Sequence, residues 1–219
     1  MKDNQQNIEK FILTLNMINK KFDGVEILRD FNLKVKRGEI LGIMGPSGCG
    51  KSTLLRLIAG LERPDGGQIY LESKLISSND KIVPPNKREM GMVFQNLALW
   101  PHLTVEQHLC YGISNLDKDV QSQKVKEMLD YLDLSNLAKR YPEQLSGGER
   151  QRVSFGRALI MKPLILLCDE PFNSLDRELR WKTRDLFYEI VKEEEITTIF
   201  VSHDPEDLIE VDRIYRLDN

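Results

Sequence analysis

The sequence predicts an α/β fold in which helices cover both faces of a mainly parallel sheet. Short and almost continuously apolar segments, typical of strands buried on both faces, occur at residues 39–44, 90–95, 164–168 and 196–201. Segments of helical character separate these strands, and strands that alternate with helices usually form a parallel sheet. The hydrophobic fraction of 41% is sufficient for a sizeable core in a chain of 219 residues.

The N-terminal part predicts antiparallel strands instead. Residues 11–16 and 26–35 alternate roughly between apolar and polar side chains, as half-buried strands do. Asp23-Gly24 between them is a turn dipeptide. We therefore expect an N-terminal antiparallel β part that precedes the parallel sheet.

The following segments predict a strand and then a loop. Residues 68–71 form a short strand, whereas the polar residues 75–88 contain Pro84-Pro85 and predict irregular backbone. Residues 1–10 are polar and lack the apolar region of a signal peptide, so we expect a flexible N-terminus. The domain is predicted to begin at residue 11 and to extend to residue 219.

Residues 97–162 predict an α-helical subdomain inserted between two strands of the parallel sheet. Thr104 with Gln107 and Ser146 with Glu149 form capping boxes, in which two side chains satisfy backbone N–H groups at a helix start. Apolar residues at helical spacing mark the inner face of a further helix, namely Val125, Met128, Leu129 and Leu132. A long helix with a similar face is predicted after the strand at residues 164–168.

One segment between a predicted strand and a predicted helix carries the first chemical signal. It fits the pattern G-x-x-x-x-G-K-[ST] and consists of Gly45, Pro46, Ser47, Gly48, Cys49, Gly50, Lys51, Ser52 and Thr53. Its glycines allow backbone N–H groups to surround an anion, and the helix N-terminus adds a positive dipole end. We expect Lys51 to contact the β- and γ-phosphates of a bound nucleotide and Ser52 to ligate Mg²⁺.

Two carboxylates end the apolar strand at residues 164–168. Ligands of open α/β sheets bind at the carboxyl ends of the strands, which places Asp169 to hold Mg²⁺ and Glu170 to polarise an attacking water. A strand that ends in Asp-Glu is weak evidence alone. Together with the phosphate loop it indicates nucleoside triphosphate hydrolysis.

Residues 145–151 make the interpretation specific, because they resemble the signature loop of ATP-binding-cassette (ABC) transporters, usually Leu-Ser-Gly-Gly-Gln. The chain resembles the nucleotide-binding subunit of these transporters over about residues 11–217, which implies a P-loop NTPase (RecA-like) core. In this family Ser146, Gly147 and Gly148 of one chain close over ATP on another.

The resemblance includes departures from the family pattern. Glu149 replaces the usual Gln, and since its carboxylate would repel phosphate we expect it to fold back on its own helix. Asn173 and Ser174 replace the common Ser-Ala of the D-loop, while Asp176 is retained.

Further roles follow from the resemblance. It implies that Phe22 stacks on adenine, that Gln95 senses Mg²⁺ and water, and that His203 contacts the γ-phosphate. The other two histidines, His102 and His108, are predicted to be surface residues. The predicted catalytic set is therefore Glu170, His203, Lys51 and Gln95, and Ser52, Gln95 and Asp169 are the predicted metal ligands.

Composition limits the partners. The net charge is −3 without a stripe of Lys and Arg, which argues against nucleic-acid binding. No apolar run approaches the ~18 residues of a membrane span. The three scattered cysteines suggest a reducing compartment, and Cys49 and Cys168 are predicted to be structural.

The family resemblance implies an ATPase that dimerises on ATP and drives solute transport through transmembrane permease subunits at the cytoplasmic face of the inner membrane. Residues 85–113 and 170–172 look like bacterial small-solute importers, which can use a solute-binding protein. An exporter or lipoprotein-release cassette, a soluble ABC-type ATPase and a small-molecule kinase are the alternatives. Trp100 lies in an apolar segment that either packs internally or receives a short helix of the permease.

Overall fold

The computed structural model describes residues 11–217, so the expected flexible N-terminus at residues 1–10 lies outside the described residues. The strands are β1 (Phe11–Phe22), β2 (Val25–Lys36), β3 (Ile40–Met44), β4 (Gly66–Leu71), β5 (Lys74–Ser78), β6 (Met90–Val93), β7 (Ile165–Asp169), β8 (Thr197–Ser202) and β9 (Arg213–Arg216). The α-helices are α1 (Lys51–Ala59), α2 (Val105–Tyr111), α3 (Lys118–Tyr131), α4 (Gly147–Leu159) and α5 (Arg177–Glu193).

Two sheets organise these strands, and the predicted fold class is confirmed. The first sheet is antiparallel with the order β2-β1-β4-β5, and the second has the order β6-β7-β8-β3-β9. Every pairing in the second sheet is parallel. Helices α2 to α4 connect β6 to β7, and α5 connects β7 to β8.

The central strands β3, β7 and β8 of the parallel sheet are buried on both faces, because alternate residues belong to different cores. In β7, Ile165 and Leu167 join the core shared with α1 and the antiparallel sheet. Leu166 and Cys168 point to the other side and join the core shared with the remaining helices. This double burial explains why the strands are continuously apolar.

Among the helices of residues 11–217, none combines the length and the apolar character that a membrane span requires.

The turn between β1 and β2 lies where the sequence predicts it. Phe22 pairs with Val25, which leaves a two-residue loop of Asp23 and Gly24. Both loop residues have positive φ, 48° and 81°, as the hairpin turn that matches strand twist requires. β1 extends beyond the predicted segment and contains irregular register near Met17, whose φ is 50°.

Both predicted capping boxes are present at the starts of α2 and α4. The Ser146 N–H donates to Glu149 Oε2 at 2.6 Å, and the Glu149 N–H donates to Ser146 Oγ at 3.3 Å. The Glu149 carboxylate therefore folds back on its own helix, as expected. The backbone hydrogen bond from Ser146 lowers the pKa of Glu149.

The prediction of a loop at residues 75–88 is wrong in its first part, because β5 pairs with β4 there. The strand is polar in sequence, yet Ser77 and Ser78 are buried. The fully buried Arg88 side chain explains part of the burial of these serines. Its five N–H groups match five acceptors, which are the carbonyl oxygens of Leu57, Ile58, Ile76 and Val83 and the hydroxyl of Ser77.

The prediction that His108 is a surface residue is also wrong. Its ring is fully buried in α2, and its Nε2 accepts the Trp100 N–H at 2.9 Å. Burial is the main cause that lowers the pKa of His108. His102, by contrast, is exposed as predicted. His108 thus fixes the segment that contains Trp100 against the helical part.

Candidate functional site

The phosphate-loop segment forms a turn between the carboxyl end of β3 and the start of α1. Gly50 is the N-cap of α1 with φ 99°, a conformation that favours glycine. A Cβ atom on Gly45 would lie 2.4 Å from the Leu217 carbonyl oxygen, so no larger residue fits there without displacement. The loop borders a cleft of about 290 Å³ lined by Ile27, Ser47, Gly48, Gly50, Lys51, Ser52, Thr53, Gln95 and Glu170.

Lys51 is the buried cation of this cleft, with only 5% of its side chain exposed. Its Nζ donates to the carbonyl oxygens of Gly45 at 2.8 Å and of Pro46 at 2.9 Å. The same ammonium lies 3.7 Å from Glu170 Oε1. The loop and a carboxylate together offset the cost of burying this charge.

Two of the three predicted metal ligands, Ser52 at the start of α1 and Asp169 at the end of β7, are in contact. The Ser52 hydroxyl donates to Asp169 Oδ1 at 2.9 Å. Burial raises the pKa of Asp169, while the Ser52 hydrogen bond acts in the opposite direction. Within residues 11–217 no cluster of three His, Cys, Asp or Glu side chains is preformed for a metal. These oxygen donors nevertheless suit Mg²⁺, which protein sites commonly hold through one or two protein oxygens and substrate phosphates.

Glu170 is the residue on which the other predicted catalytic groups converge. His203 Nδ1 lies 3.3 Å from its Oε2, and Gln95 Nε2 donates to the same oxygen at 3.4 Å. Lys51 approaches the other carboxylate oxygen. Glu170 follows β7 with a left-handed backbone, φ 43°, which a non-glycine residue adopts at some cost. The arrangement places one carboxylate among a cation, an amide and an imidazole.

Asn173 is a contact of the site that sequence reasoning missed. Its side-chain amide donates to Glu170 Oε2, and its backbone N–H donates to the Glu170 carbonyl oxygen at 3.3 Å. The departure from the usual D-loop serine therefore adds a donor to the central carboxylate. The spacing of three residues, typical of a turn, was the available signal.

Cys49 packs beneath the loop, as its predicted structural role requires. Its side chain is 3% exposed and belongs to the core shared with α1. Cys168 is fully buried on the opposite face of the parallel sheet. Desolvation raises the pKa of the Cys168 thiol well above its usual value.

Other predicted site residues are not brought to this cleft. In the part of the chain that the structure describes, the residues lining it do not include Phe22, Ser146, Gly147, Gly148 or Asp176. Phe22 ends β1 with 41% of its surface exposed and has the Lys20 ammonium 4.8 Å from its ring centre. The signature loop and Asp176 instead start helices α4 and α5.

Solved structures resemble the whole described fold. A dimeric structure of a bacterial ABC transporter cassette matches with a TM-score of 0.81 and 31% identity, and the match covers 93% of each chain. A post-hydrolysis dimer bound to ADP and Pi also has a TM-score of 0.81, with 32% identity and 94% coverage of each chain.

Sequence relatives give the same result. A sulfate/thiosulfate import ATP-binding protein of Pectobacterium atrosepticum is 43% identical over 92% of this chain and 62% of its own length. A probable counterpart in Chlorella vulgaris is 42% identical, covering 91% of this chain and 84% of its own. A trehalose/maltose import ATP-binding protein of Thermococcus litoralis is 43% identical over 84% of this chain and 51% of its own length.

The chain thus spans 62% of the length of the Pectobacterium relative and about half of the Thermococcus one. The sequence model of the ABC transporter family matches residues 28–173, which include the phosphate loop, the signature loop and both carboxylates. This match and the identities above show that the chain belongs to the ABC transporter family.

Proposed function

We propose that this chain is the ATP-hydrolysing subunit of an ABC importer, active as a dimer that closes on ATP. The observation that carries the proposal is the position of Glu170 at the phosphate-loop cleft, within reach of Lys51, Gln95 and His203. A carboxylate so placed is suited to take a proton from an attacking water. The relatives are import ATP-binding proteins, which favours import over export.

In the proposed mechanism the chain mainly positions and stabilises charge. The phosphate-loop N–H groups and Lys51 bind the phosphates, and His203 lies beside the carboxylate that orients water. Ser52, Gln95 and Asp169 would hold Mg²⁺, which supplies positive charge against the phosphates when bound. By the resemblance to the family, Phe22 would stack on the adenine ring. The residue is 41% exposed.

The signature loop supports the dimer in this proposal. Ser146, Gly147 and Gly148 lie outside their own chain's cleft. The exposed Ser146 and the partly exposed Gly147 are available to close the site of a facing cassette, whereas Gly148 is buried beside Leu179 and would support the loop from below. Asp176 is assigned to the same contact between cassettes. Two sites would form between two chains of the same or of different sequence. Hydrolysis is thereby linked to association, and the helical subdomain at about residues 97–162 moves with it inside the ATPase domain that begins at residue 11.

The membrane partners are proposed to be permease subunits, with a solute-binding protein on the other side. The chain would then lie on the cytoplasmic face of the membrane. Relatives of similar identity are named for sulfate/thiosulfate in one case and trehalose/maltose in another. We therefore assign cargo selection to the partners.

The decisive experiment compares Glu170→Gln with the unchanged chain and with Glu127→Gln, a control on the exposed side of α3. We expect Glu170→Gln to bind MgATP but to hydrolyse it about 10²- to 10⁴-fold more slowly, because an amide cannot take the proton. Sedimentation with MgATP should then show a stable dimer. Near-normal turnover in Glu170→Gln, or a monomer that retains MgATP, would overturn the proposal.

A further inference from the structure

The backbone on either side of His203 is held by a chain of buried polar contacts. The Asp204 N–H donates to Ser202 Oγ at 3.0 Å, and the Ser202 hydroxyl donates to Asp207 Oδ2 at 2.7 Å. Ser202 is fully buried and Asp207 is 1% exposed. Both neighbours of His203 are therefore fixed through one carboxylate, that of Asp207.

Arg180 of α5 holds this carboxylate in a two-point contact. Its Nε donates to Asp207 Oδ1 at 2.8 Å and its Nη2 donates to Oδ2 at 2.6 Å. The same Nη2 lies 2.9 Å from Asp204 Oδ2. The Tyr188 hydroxyl, also from α5, donates to the Asp207 carbonyl oxygen at 2.6 Å. The planar guanidinium fixes both distance and orientation, which a lysine ammonium does not.

The helix that carries Arg180 starts at Asp176, the predicted D-loop residue. The Asp176 side chain accepts the Leu179 N–H at 3.1 Å, and its carbonyl oxygen accepts the Arg180 N–H at 2.8 Å. One helical turn thus separates Asp176 from the guanidinium. The start of α5 is thus joined to the backbone beside His203 through Arg180, Asp207 and Ser202.

The His203 side chain depends on its backbone for position. It is 47% exposed, and its described polar contact is the one between Nδ1 and Glu170 Oε2 at 3.3 Å. A buried ion pair gives little net stability over apolar residues of similar shape. The pair of Arg180 and Asp207 is therefore better explained by the geometry that it enforces.

We propose that Arg180 and Asp207 are positioning residues that set the place of His203 and couple it to the D-loop side of the dimer contact. The inference rests on the proposed ATPase function. It adds a link from the start of α5 to the imidazole that the sequence motifs do not contain.

The test measures kcat and KM for MgATP in Arg180→Lys and in Asp207→Asn, each alone and combined with His203→Ala. We expect each single substitution to lower kcat by roughly 10- to 100-fold, the effect of misplacing a reacting group, with KM nearly unchanged. Combined with His203→Ala, neither should lower kcat further, because the imidazole through which they act is gone.

The matched control is Lys192→Met. Lys192 pairs with Glu210 at 2.7 Å and so joins the same helix to the same downstream segment, at a site where both side chains are exposed. We expect it to leave kcat unchanged. Melting curves are recorded for all variants. If Asp207→Asn melts below the assay temperature, Arg180→Lys carries the test, since it keeps the charge beside the buried carboxylate.

Two results would overturn the inference. One is a wild-type kcat in Arg180→Lys. The other is a double variant whose fold-loss in kcat is the product of the losses in Arg180→Lys and His203→Ala, as expected of a purely structural pair. Failure of the proposed function is distinct, because the unchanged chain would then show no ATP hydrolysis, or His203→Ala would retain full activity.

Discussion

At the scale of single residues, Glu170 and Asp169 are adjacent carboxylates with different surroundings. Lys51, Gln95 and His203 approach Glu170, whereas Asp169 is buried and has a hydroxyl donor in Ser52. Neighbouring carboxyl groups with different environments can divide two tasks. In the proposed mechanism Glu170 orients the reacting water and Asp169 holds the cation.

Asp169→Asn is expected to stabilise the chain in the absence of Mg²⁺ and nucleotide. Desolvation raises the pKa of Asp169, so its folded-state value lies above the unfolded-state value of about 3.9. The stability that Asp169 contributes therefore falls as pH rises from its unfolded-state pKa to its folded-state pKa. At pH 7 the ionised carboxylate destabilises the folded chain. Removing the charge should raise Tm by about 2 to 4 °C per kcal/mol of penalty.

Calorimetry at pH 7 and pH 4.5 checks this expectation, with the exposed Asp80→Asn as control. The Tm difference from the unchanged chain should shrink at the lower pH, and MgATP should stabilise Asp169→Asn less than the unchanged chain. A difference that is equal at both pH values would contradict the assigned cause.

At the scale of elements, the start of α4 is stabilised by a charged capping box. The backbone hydrogen bond from Ser146 depresses the pKa of Glu149. The stabilising contribution of this carboxylate is therefore present above its unfolded-state pKa of about 4.3. It is lost as pH falls through the folded-state pKa. We expect Glu149→Ala to destabilise by about 0.5 to 1 kcal/mol at pH 7, at the low end for a lost cap because solvent screens this partly exposed site.

Glu149→Gln provides the matched comparison, because glutamine keeps the capping box and matches the usual family residue. It should destabilise less than Glu149→Ala in urea unfolding at pH 7. The difference in unfolding free energy between Glu149→Gln and the unchanged chain should disappear in acid, where the glutamate is protonated. If this difference in unfolding free energy instead grows as pH falls, the pKa of Glu149 is not depressed.

The elements also show what the sequence could predict. Continuously apolar strands and capping boxes were predictable because their signals are local. β5 was not, since its polar residues are buried through pairing with β4 and through Arg88, which lies ten residues beyond the strand. The burial of His108 was within reach, because it shares a helix face with Val105 and Leu109. Its bond to Trp100 depends on tertiary structure.

At the scale of the whole molecule, the candidate site was predictable in parts. The motif residues Lys51, Ser52, Asp169 and Glu170 converge as expected, because the carboxyl ends of parallel strands meet at one edge. The contact of Asn173 with Glu170 and the buried network behind His203 were not predictable. They arise where distant segments meet, and local periodicity carries no information about them.

Trp100 belongs to a partly exposed aromatic cluster that we expect to contact the permease. It stacks on His108 with ring centres 5.8 Å apart, and Tyr111 and the Arg157 guanidinium lie at 4.7 Å and 5.3 Å. Tyr111 remains 61% exposed. Trp100→Ala should keep ATP binding, with some loss of Tm from its internal contacts, and should weaken assembly by about 2 kcal/mol or more, as buried aromatic anchors do.

The expected role of Trp100 is tested by pull-down with the permease, by thermal melting and by ATP binding. Trp181→Ala is the control. Trp181 is the other tryptophan, 39% exposed on α5, with the Arg177 guanidinium over its ring. Assembly should depend on Trp100 and not on Trp181. A sharp fall in Tm together with intact pull-down would assign Trp100 to the interior packing alone.

The buried guanidinium of Arg88 has a consequence for how the molecule unfolds. It bonds to the phosphate-loop helix, to the antiparallel sheet and to the segment that enters the parallel sheet. Releasing one of these neighbours would leave a buried donor without an acceptor, at about 1–3 kcal/mol for each. The three parts therefore lose their contacts together. We therefore expect thermal denaturation of the chain to be a single cooperative transition, in which the N-terminal sheet does not detach ahead of the phosphate-loop core.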